Sequence, residues 1–181
     1  MNLTLSTLAI GLGTLVSLVN GFGVVKPDSF GAVARKFPRS VGVGQGLMLL
    51  AAAWFIWNVS RESLADFESM KKPLYALFVA VTLGSCLFLK DFLAVRALAV
   101  LMLLLAKLMV DTARWSDTPW RLVIVGWAYV LVIGGIWFTI SPWRFRDLVA
   151  WHTTNAKRTR ILSGVRLAFG LLVLVLGFTA Y

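Results

Sequence analysis

The chain of 181 residues holds one cysteine and one histidine. A lone Cys86 excludes an intrachain disulfide, and with His152 as the sole imidazole no zinc or iron–sulfur ligand set assembles. Two-histidine haem ligation is excluded for the same reason, and there is no C-x-x-C-H attachment sequence. His152 could still supply one axial ligand to a haem or to the magnesium of a chlorophyll, although a headgroup contact is its plainer expected use. Acids are scarce as well, with eight Asp and Glu against eighteen Lys and Arg. None lies deep in an apolar run, which removes the carboxylate relays on which ion-coupled pumps depend. A nucleophilic triad would have to join His152 to Asp147, five residues away and off a common helical face. No glycine-rich phosphate loop stands between a strand and a helix.

Apolar sequence is what the chain has in abundance. Hydrophobic residues make up 59% of it and mean hydropathy is +0.83. They gather in six runs, 3–25, 41–59, 73–89, 92–110, 122–140 and 161–181. Runs of about 17 to 25 such residues cross a ~30 Å hydrocarbon core as helices. The expected fold is an all-α integral membrane protein, one six-helix domain with no soluble domain beside it. The spans are expected to pair as three antiparallel hairpins, approximately 1–59, 73–110 and 122–181. In the middle hairpin only Lys90 and Asp91 separate the two spans. No basic residue precedes the first run, so it is expected to stay as a helix rather than leave as a signal peptide.

Charge orients the bundle, because Lys and Arg near span ends stay on the cytoplasmic side. The first, third and fifth turns, with adjoining span ends, hold twelve: Lys26, Arg35, Lys36, Arg39, Lys90, Arg96, Arg144, Arg146, Lys157, Arg158, Arg160 and Arg166. The second and fourth hold six: Arg61, Lys71, Lys72, Lys107, Arg114 and Arg121. Both termini are thus expected on the non-cytoplasmic side of a bacterial inner membrane. The net charge of +10 is divided among short turns instead of covering a domain face, which argues against nucleic acid. Anionic phospholipids are the expected counter-charge, at ~1 kcal/mol per nearby basic residue.

Two turns echo each other. Pro27, Phe30, Val33, Ala34 and Phe37 follow the first run, and Pro142, Phe145, Leu148, Val149 and His152 follow the fifth with the same spacing. From each Phe the offsets i, i+3, i+4 and i+7 line one helical face. Two short amphipathic helices, approximately 28–37 and 142–152, are expected in the cytoplasmic headgroup layer, with Arg35, Lys36, Arg144 and Arg146 off the apolar stripe. Asp28 or Ser29 and Ser141 are candidate caps, each beside a proline suited to the first helical position. Pro38 ends the first helix and Thr153, Thr154 and Asn155 loosen the end of the second.

Ionisable groups inside spans are the usual pointers to function. Arg96 and Arg166 stand one to two turns inside the cytoplasmic boundary and can lean back to it. Lys107 leans the other way, and Asp111 one turn later can neutralise it, with Arg114 and Asp117 extending the cluster. Lys107 could instead bind an anionic lipid or a partner carboxylate. Gly42 and Gly46 form a G-x-x-x-G pair, and Gly11, Gly13, Gly21 and Gly23 mark the first span. Contact between the first two spans is their expected use, and a self-association face is the alternative. Asn20 and Gln45 lie close enough to the cytoplasmic ends to meet. Trp54, Trp57, Trp115, Trp120 and Tyr181 suit an outer aromatic belt, and Trp137, Trp143 and Trp151 an inner one. Trp127 and Tyr129 lie within a span and could border a lipid, quinone or pigment. Leu64, Phe67 and Met70 have helical spacing in the second turn.

These features point to a non-catalytic accessory or structural subunit, packed against other integral membrane subunits and against lipid. No cofactor beyond lipid is implied. The alternatives are a small uncoupled transporter or channel marked by Asn20, Gln45 and Lys107, and a lipid-modifying enzyme using Asp147 and His152.

Overall fold

The computed structural model describes residues 4–61, 70–89 and 91–181, and these form helices joined by turns, with no strand among them. Six helices are long and apolar enough to cross a membrane: α1 (Leu5–Val25), α3 (Val41–Arg61), α4 (Lys71–Phe88), α5 (Leu93–Ala113), α6 (Arg121–Ile140) and α8 (Ala156–Thr179). Two short ones, α2 (Pro27–Lys36) and α7 (Pro142–His152), carry the echoed stripes. Leu3, Lys90 and the Leu64 and Phe67 of the second turn lie outside the described residues.

Local chemistry sets these boundaries. Thr4 caps α1 by accepting from the Thr7 N–H, and Asn155 caps α8 by accepting from the Arg158 N–H at 2.7 Å. Proline opens both α2 and α7, where its missing N–H costs nothing. Neither Ser141 nor Asp28 nor Ser29 provides a side-chain cap there: the cap residues are Ser141 and Lys26, neither with a capping hydrogen bond. Phe37–Arg39 forms a 3₁₀ turn around Pro38 before α3 begins. Phe92, ahead of α5, adopts the left-handed region at φ 55°, a costly conformation for an aromatic residue. Its ring packs on the Val95, Ala99 and Phe138 cluster.

Successive spans do not pair as three hairpins. α1 packs along α8, α5 along α6 and α3, and α4 along α3. For the first and last of the expected hairpins the reason lies in the turns. A ten-residue helix is ~15 Å long at 1.5 Å per residue, more than the 8–10 Å between packed helix axes. α2 therefore carries the chain past the position beside α1, α7 does the same after α6, and the displaced ends, α1 and α8, meet.

Small residues hold that pair together. A Cβ on Gly13 would stand 2.6 Å from the Leu174 N, and one on Gly170 would stand 3.0 Å from the Ser17 N. Gly23 faces Ser163, and the Ser6 hydroxyl donates to the Gly177 carbonyl at 2.7 Å. Gly13 and Gly23 thus serve the last span rather than the second, while a Cβ on Gly42 or Gly46 would meet no described atom within 4 Å; Gly44 between them abuts Leu93 and Ala94 of α5. The core lies toward the end away from α2 and α7, where Leu5, Leu8, Ala9 and Leu12 meet Met109, Ala113, Ile124, Ala128 and Val173.

Candidate functional site

Charge and shape coincide at the α2/α7 end. The two amphipathic helices cross with their stripes opposed: Phe30 lies 6.0 Å from His152, and Phe37 lies 5.8 Å from Phe145, centroid to centroid. The first stripe residue of each helix thus meets the last of the other, the reciprocal contact of an isologous interface. Arg35 fastens the crossing by donating to the Thr153 carbonyl and hydroxyl at 2.9 and 3.0 Å, which satisfies one backbone carbonyl at the C-terminus of α7. Above the two stripes lies an apolar hollow of about 590 Å³ bordered by Leu18, Phe22 and Leu98.

His152 is 6% exposed, so it is a packed residue rather than a headgroup contact. Arg166 Nη1 lies 3.1 Å from its Nδ1. A guanidinium only donates, so Nδ1 accepts and the ring proton sits on Nε2, which is buried without a partner. Burial first, and then the Arg166 charge, hold the imidazole pKa below its ordinary 6.5, against a smaller upward effect of the nearby Thr159 backbone. His152 is not among the residues that border the hollow beside it or the Arg166 groove described next. Among the described residues no three of His, Cys, Asp and Glu gather to hold a metal.

Arg166 stands ten residues, ~15 Å, from the start of α8 at Ala156. It opens into a groove of about 660 Å³ between α1, α6 and α8, bordered by Val16, Asn20, Gly126, Trp127 and Phe169. The Trp127 and Phe169 rings meet edge to face at 5.2 Å. Tyr129 points elsewhere and is largely exposed.

The remaining candidates are dispersed. Lys107 Nζ meets Asp111 Oδ2 at 2.5 Å near the other end of the bundle. Asp111 borders a vestibule of about 870 Å³ with Trp54, Trp57, Asn58, Arg61 and Trp115. Arg114 lies over Trp115, and Arg61 over Trp57 at 4.3 Å. Arg96 is half-buried, and its Nε is buried without a hydrogen-bond partner among the described residues. Arg144 is exposed, and Arg146 pairs with Asp147 at 2.8 Å. Asp147 and His152 therefore have different partners. Asn20 donates to the Val16 carbonyl of its own helix and Gln45 to the Cys86 carbonyl at 3.4 Å, so they do not meet. The Arg166–His152 bond escapes sequence reading because its residues are fourteen apart across a turn, a separation with no periodic signature.

The six long helices and these membrane-facing grooves define a multi-pass α-helical membrane protein. No protein-family model, curated protein or solved structure matches the chain.

Proposed function

We propose that the chain is a non-catalytic subunit of a larger membrane complex. In this reading it sits in a bacterial inner membrane with both termini on the non-cytoplasmic side and with α2 and α7 in the cytoplasmic headgroup layer. The outer face of α3 carries the proposal. Among the described residues no atom lies within 4 Å of a Cβ placed on Gly42 or Gly46, whereas Gly13, Gly44, Gly170 and Gly177 each meet another helix at backbone distance. Small residues four apart let helices approach closely where lipid gives no hydrophobic reason to associate. α4 supports the reading, since it packs chiefly along α3 and turns Leu77, Val81, Leu83 and Phe88 outward. An apolar face suits lipid as well as protein, so the glycine pair is what argues for a partner helix. Orientation follows from the twelve basic residues against six.

The transporter reading has less support, because Asn20, Gln45 and Lys107 bond on three separate faces instead of lining a path. Replacing Gly42 and Gly46 together by Leu tests the subunit reading. The variant is expected to lose a membrane protein that co-purifies with the wild type, while its own unfolding temperature stays unchanged, because a Cβ at either position has no described atom of its own chain within 4 Å. Co-purification of the same partners at wild-type yield would contradict it.

A further inference from the structure

We propose that the groove between α1, α6 and α8 binds one acidic phospholipid from the leaflet at the α2/α7 end, with its phosphate on Arg166 and an acyl chain along Trp127 and Phe169. Charge decides the class of ligand. Arg166 stays ionised, and its one hydrogen bond in the protein goes to a neutral imidazole. Among the described residues no carboxylate reaches it. Asp111 is the one acid in a described membrane-crossing helix, and it is held by Lys107 near the opposite end. An ionised group without counter-charge is costly in hydrocarbon. A phosphate diester supplies that charge and accepts the forked N–H groups that His152 leaves available.

The groove supplies the apolar half. Its volume of about 660 Å³ falls within the ~300–1,000 Å³ common for small-ligand sites, and polar groups gather at the Asn20 and Arg166 end. It opens sideways into the membrane, since Leu122 and Val130 on its rim are 66% and 63% exposed. A lipid can therefore enter from the bilayer without passing through water. The hollow above the α2 and α7 stripes has no cation in its lining and carries no comparable argument. This site lies away from the Gly42 and Gly46 face of α3, so the lipid reading and the subunit reading fail separately.

The test uses the full chain purified in mild detergent and titrated with phosphatidylglycerol brominated on its acyl chain, which quenches nearby tryptophan. Wild type is expected to retain one phosphatidylglycerol in native mass spectrometry, to discriminate against phosphatidylcholine, and to lose part of the quenching when Trp127 becomes Phe. Arg166→Gln is expected to weaken retention about tenfold or more, the loss of a charge-assisted bond. Val130→Trp, which keeps the guanidinium and fills the groove, is expected to weaken it too. Retention of phosphatidylglycerol at wild-type strength by either folded variant, equal retention of phosphatidylcholine, or displacement by millimolar inorganic phosphate would overturn the proposal; the last would make this a site for the anion alone. If Arg166→Gln does not fold, the Val130→Trp result decides.

Discussion

His152 shows how much a single residue's role depends on contacts distant in sequence. As the end of an amphipathic stripe it reads as a headgroup contact, yet Phe30 from α2 and Arg166 from α8 enclose it. Its pKa lies below 6.5 in the folded state because burial and the neighbouring guanidinium disfavour a second positive charge. The unfolded chain therefore takes up a proton before the folded one does. Where the unfolded state binds more protons, stability rises with pH, so it is expected to fall as pH drops below about 6.5 and to level off once the folded imidazole titrates. His152→Gln is expected to flatten that slope, as read by thermal unfolding in detergent between pH 5 and pH 8. An unchanged slope would show that the imidazole is not held neutral. The Lys107 and Asp111 pair, by contrast, is legible from spacing alone, since i and i+4 are neighbours on any helix.

At the scale of elements, hydropathy runs and proline positions carry most of what the sequence reveals. The described helices start and stop near Pro27, Pro38 and Pro142 because proline permits one backbone state at each. Which helix packs on which is not legible in the same way. Glycines at 13 and 23 announce a close approach without naming the partner, and partner choice depends on how far α2 and α7 displace the following spans. The α1/α8 contact makes a direct prediction. Gly13→Leu forces the Leu174 backbone away and is expected to cost about 1–3 kcal/mol, as overpacking does, seen as a lower unfolding temperature. Gly11→Leu, with nothing within 4 Å, is expected to leave that temperature unchanged. Equal effects at the two positions would mean that α1 and α8 do not pack through this face.

For the whole molecule, the chain resembles a frame with unused surfaces. α1, α5, α6 and α8 share a core, while α3 and α4 extend from it with most of their apolar surface uncovered. Polar groups are grouped at the two ends: the vestibule beside Trp54, Trp57 and Trp115 at one, and the crossed α2 and α7 with the Arg166 groove near the other. The six spans were readable because hydrocarbon thickness sets their length. The grooves were not, because each lies between helices far apart in sequence. An apolar frame with an open glycine face is what the proposed subunit reading rests on. The most direct measurement is native mass spectrometry of the protein released from its own membrane in a mild detergent. The subunit account predicts a defined complex with other membrane proteins at fixed stoichiometry; a solitary chain carrying only lipid would contradict it.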